Sequence, residues 1–392
     1  MLLKTLTYQD KKTGWTLQDL KLDRFNLLVG ASGVGKTRIL RAIRQLRATA
    51  YGRALIHSGR VSDIGADAAI SFVVAFDHEE QGYSWEFESE TRSIEEPVDS
   101  SQQATSPLKT LVAKEKLSST TDGVLIQRDR ESFLFLGKEL PQLSPLESGL
   151  VLLDEPVIRQ ARQALVPRIL DEQSPRTFDS IPERTAEALL TRMETLDDLR
   201  GLIDPSAIVK AFVLQERFPE QFDYLKRYFI EIFPAIEDIS ITKMYFGVPQ
   251  DSRGRSLLLS FELKETGVAV RIPGQELSSG MIRTLTQLID LWLAPAGTVV
   301  LIDEFENSLG VNCMGPLTDF IQSRASELQF IITSHHPYII NKIPKDHWKV
   351  VRRKGSVVRV TPATEIKALQ GTSAQDDFTR LLNSPEFEEG LA

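Results

Sequence analysis

One octapeptide limits this chain more than any other feature: GASGVGKT, Gly30 to Thr37. It fits G-x-x-x-x-G-K-[ST] at every fixed position. Arg24 to Val29, just ahead of it, reads as a short buried strand. From Lys36 to Tyr51 the pattern turns helical, with Ile39, Leu40, Ile43 and Leu46 on one face. A strand, a glycine-rich turn and a helix in that order make a phosphate cradle. The glycines let backbone N–H groups wrap an anion, and the helix N-terminus adds its positive end. Lys36 supplies a point charge for the β- and γ-phosphates of a nucleotide, and Thr37 a hydroxyl for Mg²⁺. The expected binding set is Gly30, Ala31, Ser32, Gly33, Val34, Gly35, Lys36, Thr37 and Arg38, with ATP and Mg²⁺ as cofactors.

Hydrolysis of a bound nucleotide also needs a carboxylate at the end of a buried strand, to hold the metal ion. Two stretches offer one: GLVLLDEP (Gly149 to Pro156) and VVLIDEFENSLG (Val299 to Gly310). The second has β-branched residues ahead of it, an Ala-Pro-Ala-Gly turn before them, and a further apolar run, FIITSHH, downstream. Asp303 is therefore assigned to the metal and Glu304 to polarising the attacking water. Asp154 and Glu155 are expected to start a helix, where carboxylates suit the dipole. His335 stands near the end of FIITSHH. The C-terminal ends of parallel strands face the ligand crevice in α/β folds, so His335 is expected to meet a γ-phosphate. His336, its neighbour on a strand, would point elsewhere.

Leu2 to Tyr8 and Trp15 to Leu22 alternate as strands around a turn at Lys11 to Gly14. Ala69 to Phe76 and Tyr83 to Phe87 resemble a hairpin around HEEQG, and Gly123 to Gly137 is strand-like again. Residues 91–107 are polar and proline-bearing, a predicted loop. Residues 155–233 are helical in composition, but recurrent prolines cut them into short pieces and leave no room for a long coiled coil. Ile239 to Phe246, Ser256 to Leu263 and Val268 to Ile272 read as strands, and Val350 to Val360 as two more around Lys354–Gly355. The expected division is 1–154, the first part of a P-loop head; 155–234, a helical insertion lobe; 235–365, the second part of the head; and 366–392, an acidic tail.

A net charge of −8 argues against a nucleic-acid coat protein. One cysteine, Cys313, cannot form an internal disulfide and fits a reducing compartment. The start MLLKTLTYQD lacks the apolar core of a signal peptide, and no apolar run nears the ~18 residues of a membrane span. The expectation is a cytoplasmic protein with no membrane contact.

GASGVGKT, ELSSGMIRTL (Glu276 to Leu285), VVLIDEFENSLG and FIITSHH, in that order and spacing, resemble the ABC-type ATPases of the RecF and chromosome-maintenance branch. The resemblance covers roughly the first 90 residues and residues 235–350, leaving the middle aside. It implies an α/β fold: an ABC-type head with a mixed sheet flanked by helices and antiparallel N-terminal strands. It also implies that Ser278, Ser279 and Gly280 form a signature loop capping the γ-phosphate held by a second protomer, in an ATP-dependent head-to-tail dimer at least. A Ser-Ser-Gly helix start offers hydroxyls and free N–H groups to an anion in any case, though it also serves as a plain cap. The family's D-loop maps onto Asn307 to Gly310. Met281 stands where Gln or Glu is common, and Gly310-Val311 where Asp or His-Pro is. Gln81 and Gln127 both remain candidates for the family's Q-loop glutamine.

With 57 residues after His335 and no D-x-D pair, a fused metal nuclease is not expected. What is left resembles the compact stand-alone ATPases of bacterial anti-phage systems of the Septu and PARIS type, in which a separate effector chain carries the toxic activity. Two alternatives stand beside this. A RecF-like DNA clamp would use Arg38, Arg41, Arg44 and Arg47 with the basic run Lys349 to Lys354. A small-molecule kinase would use the phosphate loop alone.

Overall fold

A computed structural model describes residues 1–52, 69–93, 108–141, 143–165, 176–202, 205–247 and 255–367, with 369, 376, 379 and 380. Most of the predicted loop at 91–107 and most of the tail at 366–392 lie outside these residues. Along the chain come β1 (Leu2–Asp10), β2 (Trp15–Lys21), β3 (Phe25–Val29), α1 (Lys36–Ala50), β4 (Ile70–His78), β5 (Gln81–Ser93), β6 (Leu108–Ser119), β7 (Gly123–Arg128), β8 (Phe133–Phe135) and β9 (Lys138–Glu139). Next are α2 (Gly149–Leu152), α3 (Pro156–Ala164), β10 (Phe178–Pro182), α4 (Glu183–Arg192), α5 (Leu196–Gly201), α6 (Ala207–Arg217), α7 (Pro219–Ile232), β11 (Ile236–Phe246), β12 (Ser256–Glu265) and β13 (Ile272–Pro273). The chain closes with α8 (Ser279–Trp292), β14 (Val299–Ile302), α9 (Val311–Ser323), β15 (Gln329–Thr333), α10 (Pro337–Lys342), β16 (Trp348–Lys354) and β17 (Val357–Pro362).

The fold is α/β, with one large mixed sheet. The chain divides into two compact units: 1–169, 297–303 and 329–392 form the first, and 170–296 with 304–328 the second. In the first unit the strands run β14-β15-β3-β16-β17-β2-β1-β4-β5-β6-β7-β8-β9. β14, β15, β3 and β16 are mutually parallel, and from β2 to β9 the sheet is antiparallel. The change follows the connections. Hairpin turns join the early strands, whereas β14, β15 and β16 arrive from helices and so enter in parallel. β3, β14 and β15 are buried along their length, and β3 and β14 carry unbroken apolar or amide side chains as such strands must. Ile39, Leu40, Ile43 and Leu46 of α1 pack into the same core as Leu28, Leu301 and Ile331, so the predicted helical face is the buried one.

Sequence patterning does not single out β6. The reason is its buried face, where Thr110, Glu115 and Ser119 sit among Val112 and Leu117 and blur the alternation. A register shift between Glu88 and Ser89 of β5 adds to this. Glu115 is fully buried and earns its place by hydrogen bonds. Trp85 Nε1 donates to it at 3.0 Å, Ser148 Oγ at 2.5 Å and the Gly149 amide at 2.7 Å. Burial pushes its carboxyl above the usual glutamate range, and these bonds pull it back only in part.

In the second unit, β10, β12 and β11 form a small antiparallel sheet with β13 beside β12. α6 and α7 accompany it, with Phe212, Leu225 and Phe229 buried. The predicted strand at Val268 to Ile272 shrinks to the Ile272–Pro273 pair. Gly267, at φ 79°, turns the chain, and Val268 and Val270 are exposed. Likewise the strand-like run from Gly123 is broken between β7 and β8, where Asp129 accepts from the amides of Glu131 and Ser132.

Candidate functional site

The phosphate loop lies between the C-terminal end of β3 and α1. Its bend depends on glycine at two points. A Cβ on Gly30 would stand 2.6 Å from the Val351 carbonyl oxygen of β16. Gly35, the residue before α1, has φ 108°, in the region glycine alone enters freely. Lys36 is 6% exposed and its ammonium donates to the carbonyls of Gly30 at 2.9 Å and Ala31 at 2.8 Å. The loop thus curls around its own lysine. Ser32 and Gly33 are exposed and Thr37 is half-buried.

β14 ends at Ile302, paired with Ile332 of β15, and β15 pairs in turn with β3. Three parallel strands therefore deliver Gly30, Asp303 and Ser334 past the same edge of the sheet. Asp303 is half-buried, and its carboxylate accepts from Thr333 Oγ1 at 2.7 Å. Such a charge-assisted bond fixes the carboxylate's rotamer and leaves its other oxygen for a ligand. Among the described residues no group of three His, Cys, Asp or Glu side chains could hold a metal by itself. The donor set fits an ion that keeps phosphate and water ligands, with Thr37 and Asp303 as the protein's share, which is how Mg²⁺ is usually held. Thr333 belongs to no phosphate-binding or metal-binding motif. Its only signal is a hydroxyl closing an apolar run.

Glu304 follows Asp303, is exposed, and has φ 47°, a left-handed backbone that a residue with a Cβ seldom adopts. His335 stands two residues beyond β15 and is exposed. His336 is not on a strand. It caps α10, its Nδ1 accepting from the Tyr338 amide at 3.2 Å, while its own amide donates to Ser334 Oγ at 3.1 Å.

In the second unit, Ser278 caps α8 and accepts from the Met281 amide at 3.2 Å. Ser278 and Ser279 are exposed, and Gly280 is buried. This is the geometry of an N-cap whose hydroxyls still face outward. A Cβ on Gly280 would meet the Ser308 carbonyl at 2.9 Å, so this helix start touches the segment Asn307 to Gly310.

The basic residues of α1 and β16 are engaged in different ways. Arg38 lies over the buried Trp15 ring at 5.6 Å, Arg47 over Tyr51 at 5.9 Å, and Arg41 is exposed. Lys349 pairs with Asp23 at 2.6 Å and Arg352 donates to Thr361 at 2.9 Å. Arg353 donates to Gly355 at 2.7 Å and reaches the Gly33 carbonyl at 3.4 Å. Of the two glutamines, Gln81 donates to Asp122 at 3.1 Å and Gln127 is exposed on β7; neither strand neighbours β3. Among the described residues no helix is long and apolar enough to cross a membrane.

The family model described as "AAA domain, putative AbiEii toxin, Type IV TA system" matches residues 25–341. Among solved structures, an SmcHead bound to the C-winged helix domain of ScpA is similar, at 17% identity over 92% of this chain and 97% of that one, with a TM-score of 0.47. The SMC head domain from Thermotoga maritima matches at 11% identity over 92% and 99%, with a TM-score of 0.40. The Smc head domain derived from Pyrococcus furiosus, with an extended coiled coil and bound to the C-terminal domain of ScpA, matches at 16% identity over 92% and 96%, with a TM-score of 0.44. No curated protein matches the chain.

Proposed function

The chain belongs to this AAA-domain family, and from that premise we propose that it binds and hydrolyses ATP as an ABC-type molecular switch. The observation that carries the reading is the shared edge of three parallel strands, with Gly30 after β3, Asp303 after β14 and Thr333 between them holding the Asp303 carboxylate. Backbone amides from Gly30 to Thr37, with Lys36, hold the β- and γ-phosphates, and Arg38 completes the set. Thr37 and Asp303 would hold Mg²⁺, and the ion would supply positive charge beside the phosphates. Glu304 takes a proton from the attacking water, and His335 donates to the γ-phosphate.

Ser278, Ser279 and Gly280 complete the site of a second copy of the chain, so the working unit is a homodimer or a higher oligomer. The description of the family, which names a toxin and a TA system, supports a role in defence. On this reading the chain is the sensor or regulator ATPase of an anti-phage system, and a separate effector chain delivers the damage.

A pair of variants tests the dimeric site. Ser278→Arg places a bulky cation at the exposed helix start, outside the chain's own phosphate loop. It is expected to bind ATP with unchanged affinity and to release no phosphate. Mixed with Lys36→Ala protein, it should recover activity, because one composite site of the mixed pair is intact. Recovery is bounded at about half of wild-type turnover per pair, and lower if the two sites are coupled. Full activity of Ser278→Arg alone would reduce Leu277 to Gly280 to a helix cap and leave a monomeric phosphotransferase in its place.

A further inference from the structure

The left-handed backbone at Glu304 needs something to hold it, since φ 47° is disfavoured for any residue but glycine. Two donors converge on the Glu304 carbonyl. The Asn307 amide reaches it at 2.8 Å and closes a turn. Arg283 Nη2 reaches it at 3.1 Å. Arg283 is 6% exposed and sits on α8, five residues after the Ser278 cap. Ser308, in the same segment, has φ 59° and lies against Gly280, where a Cβ would be 2.9 Å from its carbonyl oxygen. The first turns of α8 therefore grip the segment from Glu304 to Ser308 at two places, once by a guanidinium bond and once by a glycine contact. All of these residues belong to one compact unit.

Arg283 is buried, and one N–H of its guanidinium is directed at the carbonyl of a residue with a left-handed backbone. An arginine carries five N–H donors and is chosen where a direction must be fixed. Here the direction is that of the residue assigned to activate water. The same helix begins at the hydroxyls assigned to the second protomer's γ-phosphate. We infer that Arg283 is a positioning residue for ATP hydrolysis: its guanidinium sets the backbone of Glu304, and thereby the aim of the Glu304 carboxylate, from the helix that starts at Ser278. Engagement of Ser278 to Gly280 by a neighbour's nucleotide then reaches Glu304 through α8, and one composite site reports to the other. The inference rests on the proposed role of Glu304 in hydrolysis.

The test is a double-mutant cycle on the full chain, with single-turnover phosphate release and equilibrium ATP binding as readouts. Arg283→Met keeps most of the buried stem and removes the donors. It is expected to lower kcat by about 10–100-fold, the scale of a misplaced catalytic group, with KM and ATP affinity within about twofold of wild type. Arg283→Lys, which keeps one charged donor, should recover part of that loss, and it carries the cycle if the Met variant does not fold. In a Glu304→Gln background the Arg283 change should add less than about a threefold loss, because the group it aims is already gone. Equal losses in both backgrounds, a kcat within about twofold of wild type, or a loss of ATP affinity parallel to kcat would each overturn the inference. Glu304→Gln protein that itself turns over normally would instead overturn the assignment of Glu304, and the inference with it.

Discussion

GLVLLDEP and VVLIDEFENSLG share the run V-L-x-D-E, yet the chain folds them differently. Val299–Ile302 is a strand, buried at every residue and paired in parallel with β15. Gly149–Leu152 is a single helical turn. Ser148 caps it, its hydroxyl accepting from the Leu150 amide at 3.1 Å and donating to the buried Glu115. After the first run, Pro156 opens α3 with Glu155 as its cap residue, and Asp154 is exposed and held by Arg159 at 3.0 Å. That arginine keeps the Asp154 carboxyl below the usual range. After the second run, Asp303 is held by a neutral hydroxyl, which orients the carboxylate without neutralising it. Four apolar residues and an acidic pair are therefore not a metal site in themselves. Whether they become one depends on a strand partner and on what binds the carboxylate.

Exchanging the roles of the two acidic pairs would break the comparison outright. Glu304→Gln is expected to slow phosphate release by ~10²–10⁴-fold with ATP binding retained, as loss of a general base does. Asp154→Asn and Glu155→Gln should leave turnover within a few-fold in the same assay. If the upstream pair mattered more, the assignment of Asp303 and Glu304 would be wrong.

The helical turn at Gly149 can be weakened from its cap. Ser148→Ala removes an N-cap, at about 1 kcal/mol, and a donor to a buried carboxylate, at up to about 3 kcal/mol. Chemical denaturation should register the sum as a lower midpoint, with turnover at saturating ATP unchanged below it. On the other side, Thr333→Val keeps the shape and removes the hydroxyl that orients Asp303. The Mg²⁺ concentration for half-maximal phosphate release should rise by roughly tenfold, as for other partners of metal ligands. An unchanged Mg²⁺ profile would show that Thr333 serves packing only.

The smallest effect concerns pH. Glu115 has a raised carboxyl in the folded chain. Below the ordinary glutamate value it is protonated in both folded and unfolded chains, and its burial costs least. As pH rises above that value the unfolded chain ionises first, so the folded state loses stability until the folded group ionises too. Glutamine does not titrate. The melting temperature of wild type, measured relative to Glu115→Gln, should therefore fall across that window and then level off. A difference that stays flat would mean that Trp85, Ser148 and Gly149 fully offset burial.

The α/β class, the strand–loop–helix around GASGVGKT and the acidic strand at Val299 were legible because each rests on local rules. Periodicity sets which face of α1 is buried, and glycines set where the loop can bend. β6 was not legible, because its buried face carries Glu115, whose bonds come from residues thirty or more positions away. Thr333 and Arg283 were not legible either. A hydroxyl after an apolar run and an arginine on a helix have no pattern of their own, and their roles arise from what lies across from them.

By itself, then, the sequence determined the elements and the chemistry available to them: a glycine turn before a helix, a lysine at its mouth, carboxylates at two strand-like ends, hydroxyls at a later helix start. Only the tertiary structure decided which carboxylate is aligned with the phosphate loop, because parallel pairing of β3, β15 and β14 joins segments separated by most of the chain. Side-chain orientation followed the same rule. Thr333 faces Asp303 and Arg283 faces the Glu304 carbonyl through contacts between elements, and no local propensity encodes a contact of that kind.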